Sequence, residues 1–251
     1  MWPFRTSLPF PPPGPRLSRP RPALLYALGD VHGCLDALKR LEDRIIADAA
    51  GQPGDKLIVM LGDYVDRGPK SAQTIDWLLR PPPDGFERIC LRGNHEIWFM
   101  KALARPGQCD DWLAWGGAET LHSYGLDPAA FTAAAPRNRL HMLQGVVPEQ
   151  HFAFLRDLAV QLRMEDLLLV HAGIRPGLPI DAQRDEDLTW IREPFLSRPH
   201  GQDVLVIHGH TPAMEPVVLP HRICVDTLAF GGGPLTALRL DRTNRPTFLQ
   251  V

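Results

Sequence analysis

The chain has 251 residues, of which 44% are apolar, and its formal net charge at pH 7 is −2. This length fits one globular domain with a large core, and the near-neutral charge argues against a dedicated nucleic-acid or acidic-membrane binder. No apolar run approaches the roughly 18 residues of a membrane-spanning helix, and the first residues lack the apolar segment of a secretory signal. We therefore expect a cytoplasmic protein without nucleic-acid or membrane partners.

The first 22 residues differ in composition from the rest of the chain. They hold eight of the 26 prolines, four arginines and no acidic residue. Proline at this density prevents a regular helix or a central strand, so we expect a disordered Pro/Arg-rich tail over 1–22 and a single folded domain over 23–251. The segment 9–13 has the composition of a polyproline ligand for a partner protein, although a plain disordered tail is the simpler interpretation.

The first half of the domain predicts alternating strands and helices. Short apolar runs predict strands at 24–28, 57–61 and 87–91, and helical spacing of apolar residues predicts helices at 34–50, 71–79 and 95–103. This order is typical of an open α/β sheet, whose ligand sites lie beyond the carboxyl ends of the strands.

The second half predicts mainly strands. Residues 108–144 are irregular and predict short helices that cap the site, and 148–158 predicts one longer helix. The later apolar runs predict six strands, at 160–164, 167–170, 204–207, 223–225, 235–240 and 247–250. Glu165-Asp166 indicates a tight hairpin between the first two of these. The fold class is therefore α/β (α+β), with a central β-sandwich of two mixed sheets flanked by helices.

Five predicted strands end in side chains that suit metal binding. The segments are Gly29-Asp30-Val31-His32-Gly33, Gly62-Asp63-Tyr64-Val65-Asp66-Arg67-Gly68, Gly93-Asn94-His95-Glu96, His171-Ala172-Gly173 and His208-Gly209-His210-Thr211. Buried carboxylates are costly unless a positive charge, such as a metal ion, holds them. Five such strand ends predict one active site.

The candidate metal ligands are carboxylate, imidazole and carboxamide groups. They are Asp30, His32, Asp63, Asn94, His171 and His210. Mixed nitrogen and oxygen ligands without a thiolate favour manganese, with iron or zinc as alternatives, over calcium. Six ligands exceed what one catalytic ion takes from protein, so we expect two divalent ions about 3.5–4 Å apart that share one carboxylate.

The neighbouring residues supply the other groups that hydrolysis of a phosphate ester needs. Arg67 can bind phosphoryl oxygens through its planar guanidinium. His95 can protonate the leaving alkoxide, and Asp66 can orient His95 and keep it protonated. We expect Glu96 to brace its loop, since the reaction requires no further catalyst.

The motifs at 29–33, 62–68 and 92–96 resemble those of the calcineurin-like metallophosphoesterases. More narrowly, they resemble the phosphoprotein phosphatase family of serine/threonine phosphatases, in its small bacterial and phage branch. The resemblance covers about residues 24–240 and implies the metallophosphoesterase fold, a β-sandwich flanked by helices. One departure is Leu228, which stands where the bacterial branch often has glycine.

The resemblance also implies a role for each matching residue. It assigns Asp30, His32 and Asp63 to the first metal, and Asp63, Asn94, His171 and His210 to the second. It makes Asp66 and His95 the proton-donating pair, and gives Arg67 and Asn94 contacts with the substrate phosphate. Trp190-Ile191-Arg192 resembles the segment that carries a second phosphate-binding arginine, so Arg192 is assigned that role.

The predicted function is hydrolysis of phosphoserine and phosphothreonine by direct attack of a metal-bridging hydroxide, with phosphotyrosine and small phosphate esters as further substrates. The substrate partner is then a phosphoprotein or a small phosphoester. The first alternative is a symmetrical dinucleoside tetraphosphate hydrolase, which shares the motif at 29–34 but typically lacks an aspartate at position 66. The second is a non-catalytic phosphoprotein-binding scaffold, against which the complete set of ligands and acid groups counts.

Overall fold

The computed structural model describes residues 11–243 and 245–251 of the chain. Within these residues, strands form two sheets that pack face to face, and helices cover the outer faces. The strands are β1 (Arg16–Ser18), β2 (Leu24–Leu28), β3 (Lys56–Met60), β4 (Phe86–Cys90), β5 (Gln161–Met164), β6 (Leu167–Val170), β7 (Leu205–His208), β8 (Val217–Leu219), β9 (Arg222–Cys224), β10 (Thr236–Asp241) and β11 (Thr247–Gln250).

The helices fall mostly in the first two thirds of the chain. They are α1 (Leu35–Ala49), α2 (Ser71–Leu78), α3 (Asn94–Ala104), α4 (Asp110–Trp112), α5 (Ala118–Ser123), α6 (Pro128–Ala133), α7 (Pro136–Val146), α8 (Glu149–Asp157) and α9 (Asp185–Trp190). A π-helical turn spans Leu113–Gly117. None of the helices in the described ranges combines the length and apolarity that a membrane span requires.

Both sheets contain parallel and antiparallel pairs. The first has the order β11-β10-β2-β3-β4, and its β2, β3 and β4 run parallel. The second has the order β1-β5-β6-β7-β9-β8, and its β6, β7 and β9 run parallel. The hairpin predicted at Glu165-Asp166 joins the antiparallel β5 and β6. Two mixed sheets flanked by helices confirm the predicted fold class.

Alternate residues of the central strands face two different parts of the core. In β2, Leu25 and Ala27 pack between the sheets, whereas Leu24 and Tyr26 pack under the helices. The same alternation holds in β3, where Leu57 lies in the inter-sheet core. Strands buried on both faces read as continuous apolar runs, which is why the sequence located them well.

The amino-terminal segment departs from the prediction of a disordered tail over 1–22. Residues 1–10 lie outside the described part of the chain, but β1 pairs in parallel with β5 at the edge of the second sheet. Residues 16–19 contain no proline, and an edge strand tolerates the prolines on either side. The ordered domain therefore begins before Ala23, and the predicted start is corrected accordingly.

Hydrogen bonds other than those between β1 and β5 also hold the amino-terminal segment. The backbone N–H of Gly14 donates to Asp185 Oδ2 at 2.8 Å. The buried guanidinium of Arg92 donates from Nη1 to the carbonyl of Pro12, also at 2.8 Å. The segment thus supplies a partner for an arginine that is 1% exposed.

Candidate active site

The predicted site residues lie together where the parallel strands of both sheets end. Asp30 and His32 follow β2, Asp63 follows β3, and Asn94 begins α3 directly after β4. From the second sheet, His171 follows β6 and His210 follows β7; all six predicted ligands are at most 5% exposed. The chain therefore brings the complete predicted ligand set to one edge of the sandwich, as open α/β sheets do. The metal-binding role of these residues stays a prediction.

Asp63 lies between two histidines. Its Oδ2 is 3.4 Å from Nε2 of His32 and 3.4 Å from Nε2 of His171. Two groups of donor atoms, each within 4.8 Å, contain it: one with His32 and His95, the other with His171 and His210. Asp63 is thus placed as the shared carboxylate that two ions would require. The sequence assigned Asp30, not His95, to the first group.

Asp30 lies at the edge of this arrangement. Its Oδ2 is 4.0 Å from Nε2 of His32. The backbone N–H of His210 donates to both of its carboxylate oxygens, at 3.2 and 3.3 Å. Asn94 bridges the other side, since its Oδ1 is 2.9 Å from Nε2 of His171 and 2.9 Å from Nδ1 of His210.

Backbone carbonyls fix the orientation of two imidazoles. Nδ1 of His32 is 2.8 Å from the carbonyl of Val65, and Nδ1 of His171 is 3.0 Å from the carbonyl of Leu61. Because a carbonyl can only accept, each Nδ1 donates when the ring is neutral, which leaves the lone pair on Nε2. A carbonyl that takes the other ring proton in this way is a common outer partner of metal-binding histidine.

The protonation states of these groups suit a cation. Burial lowers the pKa of His32 to about 3 and that of His210 to about 2, so both rings are neutral near pH 7, as metal ligands must be. Burial also lowers the pKa of His171, but the charge of Asp63, the hydrogen bond to it and the charges of Asp30 and Glu96 together outweigh burial, and the net pKa rises to about 9. Without a metal, a proton on His171 therefore compensates the carboxylates; a bound cation would displace it.

The carboxylates themselves also favour a bound cation. Burial raises the pKa of Asp30 well above its usual value, and the charge of Asp226 raises it further. Asp226 is buried as well, at 3% exposure. Several carboxylates without bulk water around them are stable as anions only with positive charge nearby. The residues present therefore fit divalent metal ions.

Five of the predicted site residues have the left-handed backbone conformation. Their φ angles lie between 42° and 70°; they are His32, Asp63, Asp66, Arg67 and His210. Each such residue costs on the order of 1–3 kcal/mol and persists only where its surroundings hold it. Such strain is concentrated at functional sites in proteins.

Glu96 holds the Asp63 loop in this conformation. Its carboxylate accepts the backbone N–H groups of Asp63 at 2.8 Å, Tyr64 at 2.7 Å and Gly93 at 2.8 Å. In turn, the backbone N–H of His95 donates to Asp63 Oδ1 at 3.0 Å. Glu96 therefore braces the loop, in agreement with the prediction made for it.

Asp66 and His95 form a buried pair. Nδ1 of His95 is 2.7 Å from Asp66 Oδ2. Burial lowers the pKa of His95, but the charge of Asp63 and the hydrogen bond to Asp66 raise it above its usual value. Trp112 Nε1 lies 3.0 Å from both Asp66 oxygens, and Thr120 Oγ1 donates to Asp66 Oδ1 at 2.7 Å. Sequence reasoning missed Trp112 and Thr120, because they belong to the irregular region, which carries no motif.

Arg67 is held by three contacts that bring distant parts of the chain together. Its backbone N–H donates to the carbonyl of Gly116 at 3.0 Å. Its guanidinium carbon lies 4.5 Å from the ring centroid of Phe230, and Nη1 is 3.2 Å from Nε2 of His32. Phe230 was also missed. It follows Leu228, which takes the left-handed conformation (φ 60°) that a glycine would favour at that position.

Both predicted arginines line one cavity. Arg192 lies beside His210, with Nη2 3.5 Å from its carbonyl. The cavity has a volume of about 200 Å³, and its walls are Asp63, Arg67, Asn94, His95, Trp98, Trp115, Trp190, Arg192 and His210. We refer to the six predicted metal ligands as the metal-type cluster. Three of them, together with His95 of the Asp66–His95 pair and the two guanidinium groups, therefore surround a single space.

Comparisons with known proteins agree with this geometry. A family model described as calcineurin-like phosphoesterase matches residues 24–227. The asymmetrical bis(5'-nucleosyl)-tetraphosphatase PrpE of Oceanobacillus iheyensis is 27% identical over 233 residues, which cover 84% of this chain and 86% of that protein.

Two solved structures share the fold. One, proposed to be a diadenosine tetraphosphatase, has a TM-score of 0.65 at 19% identity, covering 94% of this chain and 98% of that one. The cold-active protein-tyrosine phosphatase of a psychrophilic Shewanella species has a TM-score of 0.61 at 19% identity, covering 98% and 85%. The family model spans most of the chain, and the protein therefore belongs to the calcineurin-like phosphoesterase family.

Proposed function

We propose that the protein is a dimetal phosphomonoesterase that hydrolyses phosphorylated side chains of proteins. The observation that carries the proposal is the buried Asp66–His95 pair, 2.7 Å apart, which adjoins both the metal-type cluster and the cavity with its two arginines. Phosphoserine and phosphothreonine are the substrates that the sequence predicts, with phosphotyrosine and small phosphate esters beside them.

The two arginines are suited to hold the phosphoryl group. Arg67 and Arg192 line the same cavity, and a guanidinium matches the spacing of phosphoryl oxygens. A terminal phosphoryl group carries two negative charges and three free oxygens, so it can engage both. The ring of Phe230 beneath the Arg67 guanidinium restricts its motion, which lowers the entropy lost on binding.

The metal-type cluster is suited to the remaining part of the reaction. Members of the family use a site with two metal ions. Two divalent cations would supply an activated water and neutralise charge on the phosphoryl oxygens. On the protein side, Nε2 of His32 and Nε2 of His171 each lie 3.4 Å from Oδ2 of Asp63, so two ions held beside these rings would share that carboxylate. Manganese is the first metal to test, because the donors are nitrogen and oxygen.

His95 is suited to protonate the leaving oxygen. Its Nδ1 is occupied by Asp66, so Nε2 is the atom that can give a proton to the substrate. The bond to Asp66 also raises the pKa of the ring, which keeps the proton available near neutral pH. Asp66 orients the ring and does not itself contact the substrate.

A second candidate is hydrolysis of dinucleoside tetraphosphates. It is favoured by the curated relatives, of which the Oceanobacillus iheyensis protein is 27% identical. The name of that relative specifies asymmetrical cleavage, whereas the sequence led us to consider symmetrical cleavage. The two modes differ in products: a nucleoside monophosphate with a triphosphate, or two nucleoside diphosphates.

Turnover on three substrates tests both candidates. Protein stripped with a chelator and reloaded with manganese is assayed on p-nitrophenyl phosphate, a phosphothreonine peptide and diadenosine tetraphosphate. Metal-dependent release of phosphate from the first two supports the phosphomonoesterase. Faster cleavage of the third supports the second candidate, and chromatography of its products identifies the mode. If the protein binds two metal ions but turns over none of the three substrates, both candidate functions are wrong.

A further inference from the structure

Three tryptophans from three separate elements surround the cavity of the candidate site. Trp98 lies on α3, Trp115 in the π-helical turn and Trp190 at the end of α9. The ring centroids of Trp98 and Trp115 are 6.0 Å apart, and those of Trp98 and Trp190 are 5.1 Å apart. The three rings therefore form one continuous aromatic wall.

This wall begins at the proposed proton donor. The ring centroid of Trp98 lies 5.6 Å from that of His95. The leaving oxygen of a bound phosphate ester must approach His95, so any group bonded to that oxygen lies next to Trp98. The wall therefore faces the leaving group of the substrate, whereas Arg67 and Arg192 serve its phosphoryl group.

Trp115 is exposed, yet a backbone hydrogen bond of the next residue ties it to the Arg67 loop. It is 58% exposed, which is unusual for a large apolar side chain, and its ring is therefore not needed to fill the core. The next residue, Gly116, has a φ of 108° and accepts the backbone N–H of Arg67 at 3.0 Å. A kinked turn thus ties Trp115 to the loop that carries the phosphate-binding arginine.

We propose that Trp98, Trp115 and Trp190 form a subsite for an aromatic ring esterified directly to the phosphoryl group, as in phosphotyrosine. Aromatic rings pack favourably against one another in offset or tilted arrangements, and an alkyl chain such as that of phosphoserine lacks this contact. The inference rests on the proposed function and adds to it a preference for aryl over alkyl phosphomonoesters.

The size of the cavity favours a single ring over a nucleotide. Its volume of about 200 Å³ is below the range of about 300–1,000 Å³ typical of pockets for larger ligands. In a nucleotide, moreover, a ribose separates the base from the phosphate, so the base would not reach the ring of Trp98 beside His95. The subsite is matched to a ring bonded to the leaving oxygen.

The test measures binding without turnover. Calorimetry on the manganese-loaded protein compares benzylphosphonate with propylphosphonate. Neither is hydrolysed, and in both a methylene group takes the place of the ester oxygen, so the comparison is between a ring and an alkyl chain at the same position. We expect tighter binding of benzylphosphonate, and an approximately tenfold weakening of that binding in Trp115→Ala. Trp115→Phe, which keeps a ring at this position, should retain most of the preference.

Trp77→Ala provides the matched control. Trp77 lies on α2, under the cations of Lys39 and Arg80, and is not part of the cavity wall. Its replacement should leave the preference for benzylphosphonate unchanged. Equal affinity of the wild-type protein for the two phosphonates, failure of benzylphosphonate to bind, or an equal loss of affinity for both ligands in Trp115→Ala would each overturn the subsite.

Failure of the proposed function gives a different result. If the loaded protein releases phosphate from no monoester but still prefers benzylphosphonate through Trp115, the subsite stands and the proposed hydrolysis is wrong. If it hydrolyses phenyl phosphate and propyl phosphate with an aryl-to-alkyl ratio of kcat/KM that Trp115→Ala leaves unchanged, the hydrolysis stands and the subsite is wrong.

Discussion

Nδ1 of His95 lies 2.7 Å from Oδ2 of Asp66, and the two side chains are 1% and 0% exposed. Trp112 and Thr120 also donate hydrogen bonds to this carboxylate. Burial raises the pKa of Asp66, while the hydrogen bonds from His95, Thr120 and Trp112 act in the opposite direction and hold the carboxylate in a fixed position. The imidazole must therefore present its other nitrogen to the cavity, in the arrangement that a general acid requires.

Replacement of His95 by Asn tests the proton-transfer role. We expect kcat to fall by about 10²–10⁴-fold, because the leaving oxygen then departs without a proton. The loss should be larger for phenyl phosphate than for p-nitrophenyl phosphate, whose leaving group needs protonation less. Steady-state kinetics on both substrates, with metal content determined by mass spectrometry, measures the effect.

His141→Asn is the matched control for that variant. His141 is exposed on α7, outside the site, so the same substitution there should leave kcat unchanged. Equal losses on the two aryl phosphates in His95→Asn, or full turnover with both metals bound, would remove His95 from the role of general acid.

Trp112→Phe tests whether the donors to Asp66 position the pair. The variant loses the indole N–H that lies 3.0 Å from both carboxylate oxygens, but it keeps a ring against Phe99. We expect kcat to fall by about tenfold, since a buried hydrogen bond to a charged group contributes about 1.5–3 kcal/mol. As with His95→Asn, phenyl phosphate should be affected more than p-nitrophenyl phosphate.

A purely structural role for Trp112 predicts a different pattern. Phe99→Leu disturbs the same ring stack, with its centroid distance of 5.4 Å, but removes no hydrogen bond to Asp66. This control should lower the melting temperature without a leaving-group dependence. If Trp112→Phe behaves like Phe99→Leu, the indole N–H has no positioning role.

Metal ions should stabilise the folded chain through Asp63. Binding to the native state alone adds about 2.7 kcal/mol to the free energy of unfolding at a free metal concentration 100 times the Kd. We therefore expect manganese to raise the melting temperature of the chelator-stripped protein. Asp63→Asn should abolish the rise and reduce the bound metal below two ions per chain.

The exposed Asp43 on α1 offers a control for this measurement. Asp43→Asn removes a carboxylate of the same type, and its melting temperature should still rise with manganese. An undiminished rise and two bound ions in Asp63→Asn would show that Asp63 is not the shared ligand.

Phe230 should act on substrate binding through Arg67. The Phe230 ring lies 4.5 Å from the guanidinium carbon, and a contact of this kind contributes about 0.5–2 kcal/mol. Phe230→Ala should raise KM for phenyl phosphate by about 3–30-fold with little change in kcat, whereas Phe230→Tyr should preserve KM. A loss confined to kcat would mean that the ring serves the reacting groups instead.

The sequence predicted the elements that have strong local signals. Strands such as β3 are buried on both faces, so they appear as uninterrupted apolar runs, and α1 carries apolar residues at helical spacing. Asp63 and Asn94 were found for a related reason, since each lies within four residues of the end of a predicted strand. Their positions along the chain already place them at the carboxyl edge of the sheet.

The residues that sequence reasoning missed act through long-range contacts. Thr120 reaches Asp66 across 54 positions, and Phe230 reaches Arg67 from the far end of the chain. Neither belongs to a motif, and their roles depend on packing that no local pattern encodes. The edge strand β1 was missed because its short proline-free stretch lies within a proline-rich segment.

Removal of β1 should destabilise the domain. Without residues 1–18, β5 loses a parallel partner and the buried guanidinium of Arg92 loses its hydrogen bond to the Pro12 carbonyl. An unsatisfied buried donor alone costs about 1–3 kcal/mol, and more when it is charged, so we expect the melting temperature to fall by about 2–12 °C. Differential scanning calorimetry of the metal-loaded protein measures this change.

Deletion of residues 1–10 is the control, because none of these contacts involves them, and it should leave the melting temperature near that of the full chain. Equal melting temperatures for the two truncated chains would mean that β1 and the Pro12 contact contribute nothing to the stability of the fold.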